Sequence, residues 1–188
     1  MHPPILITPS TELPVSLEEA KAHLRVEHDE EDALIEGLIR AATDHLSGWS
    51  GRTGRALLPQ IWAQDFDGFS QLRLHVGPVR EVQSVTYHDS EGNPQTLDAS
   101  VYELRHDAWG AYLDLAAGQS WPTTDGRVSG IRITYEAGYD ETPAAIRQAM
   151  LLLIGHWYEH RQAVVSGVTV AELPLAVDAL LTPYRRAV

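Results

Sequence analysis

Residues 142–160 read TPAAIRQAMLLLIGHWYEH, and this stretch decides the fold. Thr142 is a good helix N-cap, and Pro143 suits the first helical position, where its missing amide hydrogen is not needed. Ile146, Ala149, Met150, Leu153 and Trp157 recur at helical spacing, and Leu151, Leu152 and Ile154 widen the stripe. A helix apolar on most sides is buried by its neighbours. Its partners lie at the two ends of the chain. Ser16-Leu17-Glu18-Glu19 is a capping box opening a short helix through Leu17, Ala20 and Leu24 that ends near Val26. His28-Asp29-Glu30-Glu31-Asp32 opens a second helix with acid at its positive pole. Leu34, Ile35, Leu38, Ile39, Ala42 and Leu46 form its apolar stripe, and Gly48, Gly51 and Gly54 end it. A last helix spans about 174–181 and stops at Thr182-Pro183.

Between these helices the period changes to two. Candidate strands fall at 57–66, 71–76, 82–88, 101–104, 111–115 and 130–136, with a hairpin-like turn at Ser90-Glu91-Gly92-Asn93-Pro94. The first fifteen residues are proline-punctuated and extended, and 162–172 is a Val/Gly-rich loop. Strands with no helix between them imply an antiparallel arrangement. The expected class is α+β: a small helical bundle built from both chain ends, carrying an inserted antiparallel β block. The parts are 1–56, 57–136 and 137–188, the last ending in a docking tail, within one compact domain.

Composition narrows the chemistry. Of 188 residues, 44% are hydrophobic and 21% charged, enough apolar material for a real core. No run is long enough to span a bilayer, and the N-terminus lacks the pattern of a signal peptide, so a cytoplasmic protein without membrane contact is expected. The absence of cysteine removes disulfides, thiol nucleophiles and thiolate metal sites. A net charge of −12, with Lys21 the single lysine, opposes a grip on nucleic acid.

Several constellations carry possible chemistry. His156-Trp157-Tyr158-Glu159-His160 matches H-x-x-E-H, in which two histidines one turn apart chelate zinc and the glutamate activates water. A third protein ligand is required, and Glu172 is merely the nearest downstream carboxylate. The simpler reading places both histidines at the wetter, C-terminal end of an apolar helix. Asp65, Asp67, Asp114 and Glu136 are candidates for paired carboxylates, but nothing selects one pair, and outward strand carboxylates are ordinarily solvated. Among Trp49, Trp62, Trp109, Trp121 and Trp157, only Trp109 and Trp121 fall in turn-like segments, where a Trp-lined ligand-binding β module would place them. Packing or a protein interface is the plainer use. Neither a metal nor a cofactor is expected. Tyr184-Arg185-Arg186 reads either as a frayed tail or as a basic, aromatic end built to dock.

Taken in order, these features resemble the tailed-phage head–tail connector (adaptor, or head-completion) proteins, in the longer form of prophages and gene transfer agents. The resemblance runs from Pro14-Val15-Ser16-Leu17-Glu18-Glu19-Ala20-Lys21-Ala22-His23-Leu24-Arg25-Val26 through Asp32-Ala33-Leu34-Ile35, Gly54-Arg55 and Gly77-Pro78-Val79. It continues through Tyr135-Glu136-Ala137-Gly138-Tyr139, Pro143-Ala144-Ala145-Ile146-Arg147-Gln148-Ala149 and Gly155-His156-Trp157-Tyr158-Glu159 to Pro183-Tyr184-Arg185. The order and spacing carry it rather than any single motif.

The resemblance implies a non-enzymatic adaptor in the virion, assembled in the host cytoplasm as a ring, usually of twelve subunits, beneath the portal protein. Such a ring extends the DNA channel, lets DNA pass without sequence-specific binding and docks a stopper or tail-completion protein. The C-terminal segment of the family reaches into the portal, which makes Pro183, Tyr184, Arg185 and Arg186 the portal-contact candidates. The family places a polar non-histidine residue at the position of His160, which implies that the zinc-like pattern is coincidental. A heterologous ring contact needs apolar surface, and Val164, Val165, Val168 and Val170 are the candidates for it. Removing 183–188 is expected to abolish portal binding while leaving the fold intact, because termini seldom carry the core.

Overall fold

The computed structural model describes residues 2–161 and 175–186. Helix α1 (Leu17–Leu24) begins with the Ser16 hydroxyl oxygen accepting the Glu19 amide hydrogen at 3.1 Å, whereas the Glu19 carboxylate, expected to return to the cap, accepts from Arg147 at 2.8 Å. Helix α2 (Asp32–Leu46) turns Ile35, Ile39, Ala42 and Leu46 inward. Lys21 donates to Asp29 and Asp32, each at 2.6 Å, and so clamps α1 to the start of α2. Helices α3 (Ala144–Glu159) and α4 (Leu175–Leu181) complete the bundle. One apolar core joins Ile35, Ile39 and Leu46 to Ile146, Met150, Leu153 and Ile154, and to Val177 and Leu181. Both chain ends therefore build the helical half.

The start of α3 differs from expectation. Pro143 itself occupies the N-cap position, and the Thr142 hydroxyl donates instead to the Leu57 carbonyl at 2.9 Å. Thr142 is buried, so its hydroxyl is committed to a main-chain acceptor that would otherwise be orphaned.

The β block contains β2 (Gln60–Phe66), β3 (Leu72–Arg73), β4 (Val79–His88), β5 (Pro94–Thr96), β6 (Tyr102–Asp107), β7 (Gly110–Leu115) and β8 (Ile131–Ala137). The N-terminal arm adds β1 (Ile5–Thr8). All pairings are antiparallel, in a five-stranded sheet β1-β2-β8-β4-β5 and a three-stranded sheet β3-β7-β6. Trp62 and Gln64 stand level with Tyr135 and Ile133 on β8. Leu72, Leu74, Val76, Ala111 and Leu113 close over Trp62, Ile133 and Tyr135 to form a second core.

Two strands, β1 and β5, were not expected, and one expected strand shrinks. The segment 71–76 pairs as a strand only at Leu72–Arg73. Gln71 adopts φ 56°; beyond Arg73 the Leu74 amide still donates to the Ala111 carbonyl at 2.9 Å, while the opposite edge of the segment is satisfied by the buried Gln64 side chain. Its amide donates to the Arg73 carbonyl at 3.1 Å and its carbonyl accepts the His75 amide hydrogen at 3.0 Å. The loop at 162–172, with Val164, Val165, Val168 and Val170, lies outside the described residues. No described helix is long and apolar enough to cross a membrane.

Candidate docking surface

The glycine-punctuated loop after α2 forms the base of this surface. Gly48 (φ 80°) and Gly54 (φ 65°) take left-handed conformations that favour glycine, and they let the loop close on itself. The Gly48 amide donates to the Arg55 carbonyl at 2.7 Å, and the buried Thr53 hydroxyl donates to the Leu46 carbonyl at 2.7 Å. Arg55 bridges in parallel to both Ser47 and Gly77, which ties the loop to the helical half and the β block together.

The C-terminal residues are strapped across this loop. Helix α4 continues into a 3-10 turn (Thr182–Tyr184). Arg55 Nε donates to the Tyr184 carbonyl at 2.7 Å, and the Arg186 amide donates to the Thr53 carbonyl at 3.0 Å. The Arg186 guanidinium lies 4.1 Å from the Trp49 ring centroid and donates to the His75 carbonyl at 3.3 Å. Arg52 and Arg185 converge on the Asp178 carboxylate at 2.6 and 2.9 Å. Two arginines thus share one carboxylate and two more, Arg55 and Arg186, bind main-chain carbonyls at the same strap, in a chain whose net charge is −12.

The electrostatics follow from burial. Burial pushes the Arg186 guanidinium down from its ordinary value, although it stays charged. Burial also pushes the His75 imidazole down, and the charges of Arg186 and Arg73 add to this, so His75 is neutral near pH 7. The Trp49 ring meets His75 edge-on at 5.4 Å, filling the space between the imidazole and the strap.

Of the four tail candidates, Pro183 and Arg185 are exposed, whereas Tyr184 and Arg186 are half-buried as anchors. Through Arg186 the tail lies against the body, held by the Tyr184 carbonyl and the Arg186 amide and guanidinium. Sequence reasoning missed the dock itself: Trp49, Thr53, Arg55 and His75. The available signal was the Gly48, Gly51, Gly54 spacing, which reads as a helix stop but also builds the loop that receives Arg186.

The other candidate sites resolve into separate structural roles. His156 and His160 have ring centroids 4.7 Å apart, but His160 leaves the helix and its Nδ1 meets the His156 carbonyl at 2.9 Å. Among the described residues no third metal-ligating side chain joins them, and Glu172 lies outside that set. Each strand carboxylate has its own partner: Asp65 holds Arg132 through two bonds of 2.7 and 2.9 Å, and Glu136 holds Arg80 at 2.7 Å. Asp67 accepts the Ser129 amide hydrogen at 2.8 Å, and Asp114 faces Arg105 at 3.4 Å. Trp121 stacks on Phe69 at 4.9 Å, while Trp109 stands exposed at the β6–β7 tip, so the two rings do not share a ligand platform.

Ion pairs hold the strands in place, and a helical core built from both ends of the chain carries a strapped basic edge. The fold of the chain is shared along almost its whole length with neck components of a gene transfer agent (GTA). A chain from the neck of an empty GTA particle, computed with C6 symmetry, superposes with TM-score 0.74 at 24% identity, over 98% of this chain and 95% of that one. A chain from the virion of the native GTA particle gives 0.73 at 23% identity, over 98% and 95%. A chain from the native GTA neck, computed with C12 symmetry, gives 0.63 at 23% identity, over 100% and 96%. No curated protein matches. The sequence model of the head completion protein family matches residues 14–187, and the chain belongs to that family.

Proposed function

We propose that this chain is a head–tail connector: one subunit of a ring in the neck of a phage-type or gene-transfer-agent particle, located where the DNA-filled head meets the tail. The observation that carries this reading is the family match over residues 14–187, and the end-to-end fold shared with neck chains agrees with it. Head completion is a structural task, and the fixed pairing of the strand carboxylates suits a scaffold. The ring binds the portal protein on one side and a stopper or tail-completion protein on the other. DNA crosses its lumen without being held, as a chain of net charge −12 favours. The portal contact is assigned to Pro183, Tyr184, Arg185 and Arg186, with exposed Pro183 and Arg185 meeting the partner while Tyr184 and Arg186 fix them to the body.

Electron microscopy of particles from the source, with the gene deleted and then restored, tests this. Separate tails beside tailless heads, rejoined on complementation, are expected. Normally tailed particles without the gene would refute the connector role.

A further inference from the structure

We infer that neighbouring copies of this chain meet head to tail, with strand β1 of one copy seated against the Trp109 hairpin tip of the next. The inference rests on the ring reading above and names the surface through which the ring closes.

Strand β1 is the terminal strand of the five-stranded sheet, and all four of its residues are exposed. Ile5, Leu6 and Ile7 remain 48%, 41% and 53% accessible. Soluble proteins guard such edges with charge, proline or bulges. The opposite side of the same sheet follows that rule. There Pro94 opens β5, and the part of β4 beyond β5 carries Arg80, Glu81 and two register shifts. Strand β1 has one register shift and is flanked by Pro4 and Pro9, but it lacks the charge that marks the other edge, and no Asp, Glu, Lys or Arg occurs from Pro3 to Thr11. An apolar edge of this kind is suited to being covered.

Trp109 supplies the complementary feature. It is 68% accessible at the β6–β7 turn, where a hydrogen bond holds its main chain. Its amide donates to Asp107 at 2.9 Å, and Arg73 grips the same carboxylate through two bonds of 2.7 Å. Tryptophan is among the residue types that dominate interface energies, and its two side-chain torsions cost little to fix, which makes it an effective anchor.

Charge selects the occupant. Each copy carries −12, so two copies repel over most of their surfaces and approach best where charge is absent or already neutralised. Strand β1 has none, and the Asp107 charge at the tip is matched by Arg73. The two features lie in different sheets, so joining them between copies uses two unlike patches. Such a contact repeats from copy to copy and closes by rotation, whereas β1 paired with β1 would stop at a two-fold dimer.

The sequence contains no cysteine, so introduced thiols report without background. Ile7→Cys and Trp109→Cys chains would be produced together in the deletion strain and treated, as assembled particles, with a short bismaleimide. Dimers containing one of each variant are expected from the mixture, and a ladder is expected when both substitutions occupy one chain. Cross-linked Ile7→Cys pairs, or rings visible by microscopy without any Ile7–Trp109 cross-link, would overturn the interface while leaving the connector role standing. Normal particles from the deletion strain would remove the connector role and the interface with it. The double variant Ile5→Lys, Ile7→Lys provides a second readout. It should melt like the parent chain, since neither side chain is in the core, and should reduce tailed particles at least tenfold. Undiminished tailing would refute the interface.

Discussion

The contact between Arg186 and Trp49 makes the strap measurable. A guanidinium 4.1 Å from an indole centroid is a cation–π pair, and half-burial places it near the middle of the usual range, at about 1 kcal/mol. Arg186→Ala also loses the 3.3 Å hydrogen bond to the His75 carbonyl but keeps the main-chain bond to Thr53, for a total of about 1–2 kcal/mol. Trp49→Ala loses the cation–π pair, the edge contact with His75 and part of its apolar burial, for about 2–3 kcal/mol. If the two side chains act through each other, the double variant is less destabilised than the sum by about 1 kcal/mol. Urea unfolding of the four proteins at constant slope measures this coupling. In thermal melts each kcal/mol corresponds to about 2–4 °C for a chain of this size. A coupling below about 0.3 kcal/mol would refute the strap as a specific interaction.

Three further outcomes follow from the same geometry. Thr142→Val leaves the Leu57 carbonyl without its 2.9 Å donor and should cost about 1–3 kcal/mol in the same unfolding assay. Gly138→Ala should destabilise far beyond the ~1 kcal/mol typical of point substitutions, because φ is +138° and the new Cβ would stand 2.1 Å from the Leu58 carbonyl oxygen; soluble expression and melting report it. His75, whose folded-state value is depressed by burial and then by the nearby arginines, contributes stability above its unfolded value of 6.5 that is lost as pH falls through its lower folded value. Melting temperature should therefore fall below about pH 6.5 in the parent chain and fall less in His75→Gln; identical pH profiles would disprove the assignment.

The parts of the fold legible in the sequence were those fixed by local signals. Ser16 caps α1 through the Glu19 amide, as its place before an acidic first turn suggests, and α2 and α3 announce themselves by apolar spacing sustained over several turns. Strands β4, β7 and β8 alternate strongly enough to be placed within a few residues. Long-range pairing accounts for the misses. Strand β1 has four residues between prolines and exists because Leu6 pairs with Trp62, a partner far along the chain. The edge of the β3 segment that faces away from β7 is satisfied by a side chain, Gln64, instead of a strand, and no periodicity encodes that. The basic tail was visible as composition; its dock was not, because Trp49, Thr53 and His75 meet Arg186 only after both halves have folded.

The hydrogen bond from Thr142 to Leu57 also has an architectural meaning. The chain leaves the helical half at one of these residues and rejoins it at the other, so everything between them is a closed excursion with its ends at contact distance. Such an excursion is a cassette. It can lengthen, shorten or be exchanged at its outer turns while the helices on either side keep their packing, provided that the β1–β2 pairing, the Arg55–Gly77 bridge and the Arg186–His75 bond are kept. Chains with different outer turns can then share one helical chassis and differ in the cassette it carries.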